Sequence, residues 1–154
     1  MRTLTTVSLV VGLCLAGASR AAEKEKKKGD TDKMQGTWQA VKVEIRGMAL
    51  ADEIVKNLKY EIKGNKITTL GVPEIIAQYG AATFKLDGST KPKCMDVKIT
   101  VGDQKDAELE GIYEFSGDDE LKMCVSLVGK ERPAEFATKE GDNKGLVVMK
   151  REKK

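Results

Sequence analysis

The sequence predicts an all-β fold, an antiparallel up-and-down meander that closes into a barrel of eight or nine strands, with one short helix after the first strand. From Met34 onward, apolar and polar residues alternate, as they do in strands with one buried face. Turn residues interrupt this alternation at short intervals, which is typical of successive hairpins. The chain has 154 residues, which suits a single domain with a substantial core.

The first strand and the helix differ in the period of their apolar residues. Val41, Val43 and Ile45 alternate with charged residues, which indicates a strand with one apolar face. In residues 51–58 the apolar residues recur every three to four positions, and Asp52 lies favourably near the start. We therefore expect one strand followed by one short helix.

The remaining elements are predicted as strands joined by turns. Residues 60–62 and 67–70 form a hairpin, because Gly64 and Asn65 tolerate the backbone angles of a tight turn. Residues 75–79 fit either a helical turn or a strand, and a bulge or a close approach of the wall is expected at residues 80–82. Further strands are predicted at residues 82–86, 95–101, 109–115, 121–127, 134–138 and 146–149.

The N-terminal segment has the pattern of a secretory signal peptide. Arg2 precedes an apolar run over residues 4–18, and small residues flank Arg20 before an expected cleavage after Ala21. A membrane anchor fits less well, because the run is shorter than the roughly 20 residues that span a bilayer. We therefore predict an exported protein, periplasmic or extracellular, with a signal peptide (1–21), a charged flexible linker (22–33) and one barrel domain (34–154). The mature chain has no predicted transmembrane span.

The charge of the mature chain is close to neutral. Removing residues 1–21 takes away Arg2 and Arg20 and no acidic residue, which lowers the formal charge from +3 to +1. Basic residues cluster at the ends, including residues 150–154, but no aromatic residues are interleaved with them. This pattern gives little support for nucleic-acid binding and leaves contact with an envelope protein or surface polymer open.

The composition excludes several kinds of catalysis. The sequence contains no histidine, which removes histidine-dependent nucleophile systems, histidine general bases and the usual zinc sites. The densest acidic cluster, Asp118, Asp119 and Glu120, falls on a predicted turn, where acids commonly serve solubility. We assign no catalytic residue, metal or cofactor and do not expect an enzyme.

The two cysteines of the mature chain present a choice. An oxidising compartment would allow a disulfide between Cys94 and Cys124. The predicted strands that carry them are separated by another strand, which places them roughly 9.6 Å apart, too far for an unstrained bond. Two free thiols are favoured.

Several motifs in order resemble one family. The segments are QGTW (35–38), GIYE (111–114), LKMC (121–124), GKERPAEF (129–136) and VMKRE (148–152). They are similar to an uncharacterised lipocalin-like domain family known mainly from planctomycete bacteria, over essentially residues 34–154. The resemblance implies a calycin-type barrel and no established activity.

The resemblance also implies how one barrel end is closed. In lipocalin-type barrels, a tryptophan in a Gly-x-Trp motif closes one end and a late arginine packs across it, which here assigns Gly36, Trp38 and Arg151. Strict alternation, however, places Trp38 on the face opposite Val41 and Val43. Either a bulge near residues 39–40 switches the face, or Trp38 covers the barrel end while the strand changes sides.

The barrel interior is the predicted binding site, for a small apolar or amphipathic ligand. Small residues at Gly80, Ala81, Ala82 and Gly111 would leave space inside. Lys130 and Arg132 could form a polar mouth for an anionic group, or Arg132 could pair with a nearby acid such as Glu131 or Glu135. The alternative function is an envelope structural or protein-interaction module with a filled core. The predicted lining residues are Val97, Ile99, Tyr113, Phe115, Met123 and Val125.

Overall fold

The computed structural model describes residues 29–128 and 131–154, in three short helices and nine strands. The helices are α1 (Asp30–Met34), α2 (Asp52–Asn57) and α3 (Pro73–Tyr79). The strands are β1 (Gly36–Ile45), β2 (Met48–Ala49), β3 (Lys59–Lys63), β4 (Lys66–Leu70), β5 (Ala81–Asp87), β6 (Lys93–Val101), β7 (Glu108–Ser116), β8 (Glu120–Ser126) and β9 (Lys144–Arg151).

The strands form one antiparallel sheet that closes on itself. From β3 to β9 each strand pairs with the next along the chain, β3 pairs with β1, and β9 pairs back with β1. The short strand β2 adds to the edge of β1 outside this ring, so that the other eight strands form the closed barrel. The predicted up-and-down barrel is confirmed. Two helices beyond the single predicted one are present in the described part of the chain, and α3 settles the open choice at residues 75–79 in favour of a helix.

A bulge in β1 accounts for the face on which Trp38 lies. The pairing of β1 with β9 shifts register between Ala40 and Lys42, which leaves Val41 as the extra residue. Trp38 and Ala40 before the bulge and Val43 after it are buried, whereas Val41 is 45% exposed. The bulge alternative is therefore confirmed, and the placement of Val41 on the apolar face is wrong.

The two ends of the barrel are built differently. At the first, which we call the Trp38 end, β1 begins, β9 ends and α1 precedes the barrel. At the other, the α2–α3 end, β3 and β4 stop short, with five residues each against ten in β1. Helices α2 and α3 complete the wall there, and Val55 and Val72 pack with Val43 in one apolar cluster. The side chain of Gln39 fixes α2, because it donates to the Leu58 carbonyl at 2.9 Å.

A segment after β8 crosses the outside of the barrel, where a short strand at residues 134–138 was predicted. No strand forms there. Instead, Phe136 packs on a small cluster on the outer face made by Ile112, Cys124 and Leu146. An apolar residue in this segment therefore reflects packing against the sheet from outside, rather than a place in it.

Folded structure also begins earlier than residue 34. Helix α1 occupies Asp30–Met34, so it begins in the last part of the predicted linker, and Met34 is buried in the main core. The pairing of β5 with β6 shifts register from Ala81 opposite Val101 to Ala82 opposite Ile99, so a bulge lies beside the predicted position but in the neighbouring strand. Its extra residue, Thr100, lies in β6. No helix in the described residues is long and apolar enough to span a membrane.

Candidate binding cavity and the opposite barrel end

A cavity of about 310 Å³ occupies the half of the barrel towards α2 and α3. Its wall comes from inward-facing strand residues and from the apolar faces of both helices. The strand residues lie there because alternate side chains point to the same face of a strand. The main apolar lining residues are Val43, Leu58, Ile67, Met95, Val97, Ile99, Leu109, Met123, Val125 and Val147, with Ile54 and Ile75 from the helices.

Four of the six predicted lining residues border this cavity: Val97, Ile99, Met123 and Val125. Tyr113 and Phe115 do not. Strand β7 runs from the α2–α3 end towards the Trp38 end, so its later inward residues lie beyond the cavity. There the two rings pack edge to face with centroids 5.9 Å apart and help to fill the interior.

Only one of the four predicted small residues lines the cavity, namely Ala82. At Gly111, an added Cβ would lie 2.6 Å from a methyl group of Val125 and 3.3 Å from the Met95 side chain. Gly111 therefore allows its neighbours to pack closely over it and leaves no space itself.

The polar side chains of the cavity wall are few, and none of them was among the predicted lining residues: Tyr60, Thr69, Glu74, Gln78 and Tyr79. Tyr60 lies directly opposite Thr69 on the neighbouring strand, and both line the cavity. The Thr69 hydroxyl donates to the Tyr79 carbonyl at 2.6 Å. The Tyr60 hydroxyl has no hydrogen-bond partner among the described residues, and burial raises its pKa, so it stays protonated. Its alternation with Ile62 was the signal that could have identified it as an inward residue.

Arg132 lies on the outer face of the barrel, away from any mouth. Its guanidinium donates to the Gly111 carbonyl at 2.7 Å and the Met95 carbonyl at 3.1 Å, and to the Asp96 carboxylate at 2.6 Å. The predicted role at a polar mouth is therefore wrong for Arg132. It does pair with an acid, as the alternative expected, but the acid is Asp96 and neither Glu131 nor Glu135. Lys130 lies outside the described residues.

At the Trp38 end, the structure brings Gly36, Trp38 and Arg151 into contact. The Trp38 side chain is 0% exposed, and its indole Nε1 donates to the Met34 carbonyl at 2.8 Å. The Arg151 guanidinium carbon lies 4.3 Å from the Trp38 ring centroid, in the geometry of a cation–π contact. Gly36 has a φ of +122°, and an added Cβ would lie 3.1 Å from Arg151 Nη1.

Arg151 also ties the end of β9 to the last turn of α1 and to the residue after it through backbone carbonyls. It donates to the Gln35 carbonyl at 2.5 Å and to the Lys33 carbonyl at 2.6 Å. Its Nε donates to the Asp118 carbonyl at 3.0 Å, and Asp119 lies 3.7 Å from the same nitrogen. Two of the three residues in the predicted acidic cluster therefore face the closing arginine.

A second polar network anchors α1 at this end. The Asp30 carboxylate accepts hydrogen bonds from Lys93 Nζ and from the Tyr113 hydroxyl, both at 2.7 Å. Partial burial raises the pKa of Asp30, but the two hydrogen bonds and the charges of Lys93 and Lys33 together lower it by more. The pKa of Asp30 therefore lies below its ordinary value. Desolvation and the adjacent carboxylate raise the pKa of Tyr113.

The two cysteines in the described part of the chain form no disulfide. Cys94 and Cys124 are free, which confirms the favoured prediction. Ile112 of β7 lies between them in register, opposite Cys94 on one side and Cys124 on the other. Burial under the outer segment raises the pKa of Cys124, which keeps this thiol unreactive. The described residues contain no cluster of potential metal ligands.

Comparison of the chain with models of protein families, with curated proteins and with solved structures found no match. The geometry of the barrel is therefore the basis for any functional inference.

Proposed function

We propose that this protein is an exported lipocalin-like carrier that holds a small apolar or amphipathic molecule in its barrel cavity. The observation that carries the proposal is the cavity of about 310 Å³ under α2 and α3. Its volume falls at the lower end of the range of about 300–1,000 Å³ for ligand pockets, and its walls are predominantly apolar as in such pockets. A filled core, which the interaction-module alternative requires, does not agree with this space.

Export and family membership belong to the same proposal. The pattern of residues 1–21 supports secretion, since it has a basic start, an apolar run and small residues before Ala22. The five sequence motifs, which occur in the same order as in the planctomycete lipocalin-like family, support membership of that family. N-terminal sequencing of the chain recovered from a bacterial periplasm or medium tests export, and the expected mature chain begins at Ala22.

Ligand binding is tested with a pair of variants on neighbouring positions of β6. Val97 faces the cavity and Lys98 is exposed on the outer face. The substitution Val97→Phe places extra volume in the cavity, while Lys98→Phe adds the same ring outside. We expect the neutral fluorophore N-phenyl-1-naphthylamine to bind the wild type and the Lys98→Phe variant equally, and the Val97→Phe variant at least fivefold more weakly.

Equal binding by all three proteins would contradict a site inside the barrel, and no binding to the wild type would contradict the carrier. Circular dichroism and thermal unfolding of each variant establish that they are folded. Native mass spectrometry of protein purified from its own host then tests for a natural ligand, whose mass should be lost after organic extraction.

A further inference from the structure

The charge of the cavity wall is its most informative chemical property. Among the described residues that line it, none is a lysine or an arginine. The one ionisable acid is Glu74, in the first turn of α3, and its side chain is exposed at the rim. Arg132, which was predicted to bind an anionic group, cannot supply a positive charge to the cavity, because Asp96 and two carbonyls hold it on the outer face.

An anionic ligand group would therefore enter the cavity without a compensating charge. Moving an ionised carboxylate from water into an apolar site is very unfavourable unless a cation or several hydrogen bonds replace its hydration. Glu74 at the rim adds repulsion between like charges. An ammonium group would not be repelled by Glu74 at the rim, but no other acidic residue of the described wall could pair with it deeper in the cavity.

Tyr60 offers one hydrogen bond to a neutral oxygen. Among the described residues, every side-chain nitrogen or oxygen that is fully buried has a hydrogen-bond partner. The Tyr60 hydroxyl makes no hydrogen bond, so it must border accessible space. Because Tyr60 lines the cavity opposite Thr69, we infer that its hydroxyl faces the cavity. Its raised pKa keeps the hydroxyl a donor across the physiological range.

We propose that the cavity selects a neutral ligand: an apolar chain or ring system with one hydroxyl or carbonyl oxygen that accepts a hydrogen bond from Tyr60, and that it rejects the matching carboxylate. This inference rests on the proposed function, and it narrows the ligand from amphipathic molecules in general to alcohols, ketones, aldehydes and esters. It also separates this barrel from a carrier of free fatty acids.

The experiment compares three ten-carbon probes that differ only in the head group: 1-decanol, decanoate and decylammonium. Each displaces N-phenyl-1-naphthylamine from the wild-type protein at pH 8. We expect decanol to bind at least tenfold more tightly than decanoate, with decylammonium between them. As the pH falls towards about 4, decanoic acid becomes neutral and its affinity should approach that of decanol.

A Glu74→Gln variant distinguishes titration of the probe from titration of the rim. We expect this variant to bind decanoate less than threefold more tightly than the wild type at pH 8 and to keep the rise in affinity at low pH. Loss of that rise in the variant would assign the selectivity to Glu74 and overturn the role of the uncharged wall.

Tyr60→Phe tests the hydrogen bond, with Tyr79→Phe as a matched control that removes another hydroxyl from the same wall. We expect Tyr60→Phe to weaken decanol binding about two- to tenfold, the effect of one hydrogen bond. It should leave binding of the fluorophore unchanged, and Tyr79→Phe should change neither.

The outcomes separate the two proposals. If no probe displaces the fluorophore and the fluorophore itself does not bind, the carrier function fails. If decanoate binds the wild type at pH 8 as tightly as decanol does, the carrier stands and selection of a neutral ligand is overturned. An equal loss of decanol affinity in both tyrosine variants would overturn the assignment of Tyr60.

Discussion

The two ends of the barrel use their polar groups in opposite ways. At the Trp38 end, Arg151 bonds to three backbone carbonyls, and Asp30 is bonded to both Lys93 and Tyr113. At the α2–α3 end, a cavity remains, and the Tyr60 hydroxyl that lines it has no partner in the described part of the chain. Satisfied polar networks make a structure rigid, whereas an unused donor beside an apolar cavity is what a ligand site requires.

The comparison also explains why the broader depression at the Trp38 end is a weaker candidate site. It has a volume of about 640 Å³ and is lined by Lys33, Lys93 and Tyr113 among others. Lys93 and Tyr113 are already engaged with Asp30, so a ligand there would have to displace an existing network. The Trp38 end therefore closes the barrel and holds α1 against the end of β9, and the α2–α3 end is the place to look for function.

The largest expected effect is on stability, from loss of Trp38. Trp38→Ala should lower the free energy of unfolding by about 3–5 kcal/mol, because it empties a fully buried site and removes the surface on which Arg151 stacks. Urea denaturation measures this. Val41→Ala, in the same strand but exposed at the bulge, is the control and should change stability by less than about 1 kcal/mol.

A Trp38→Ala cost no greater than that of Val41→Ala would contradict the closure role. Arg151→Gln tests whether the two ends are independent. This variant should be less stable, and the affinity of its folded form for a neutral probe should be unchanged. A loss of affinity in that variant would mean that the two ends are coupled.

Asp30, at the Trp38 end, makes a pH-dependent contribution to the free energy of unfolding. Its pKa is lowered from 3.8 in the folded protein, so its contribution is fully present above that value and is lost as the pH falls through the folded pKa. Asp30→Asn should lower the free energy of unfolding by roughly 1–3 kcal/mol at pH 7. The difference from wild type should shrink below about pH 4.

The control for this prediction is Asp32→Asn, an exposed acid in the same helix. Its effect at pH 7 should be within about 0.5 kcal/mol of zero. Thermal unfolding over a pH series measures all three proteins. A difference between wild type and Asp30→Asn that grows towards low pH would reverse the sign and contradict the network.

How far the sequence could predict this structure depends on the range of each interaction. The alternation in β6 and β8 identified Val97, Ile99, Met123 and Val125 as inward residues, because the period of a strand is local. It could not tell which end of the barrel each residue occupies. That depends on the position of α2 and α3 relative to the strand register, so Tyr113 and Phe115 were assigned to the cavity although they lie at the filled end.

Arg132 shows the same limit for charged residues. Its sequence neighbours include acids, and pairing with one of them was the obvious local alternative. The actual partners lie far along the chain: Asp96 is 36 residues away and the Gly111 carbonyl is 21 residues away. Only the folding of the segment after β8 across the outer face brings them together, and no local pattern encodes that path.

Loss of the Arg132 side chain should therefore lower stability moderately and leave the binding of probes in the cavity unchanged. Arg132→Ala should lower the free energy of unfolding by about 1–3 kcal/mol, since two carbonyls and a carboxylate lose their partner. Its affinity for decanoate and for N-phenyl-1-naphthylamine should match that of the wild type within twofold. A selective loss of decanoate binding would return this arginine to the mouth of the cavity.

The smallest effect is expected from the last two residues, and it distinguishes the carrier from an interaction module. Lys153 and Lys154 follow β9 and are exposed, whereas Arg151 two positions earlier is part of the closure. Deleting only Lys153 and Lys154 should change stability by less than about 0.5 kcal/mol and leave probe binding intact. A longer deletion that includes Arg151 would unfold the Trp38 end and obscure any effect of tail charge. If the short deletion abolished capture of an envelope component while the cavity still bound decanol, the basic tail would have a function of its own, independent of the barrel interior.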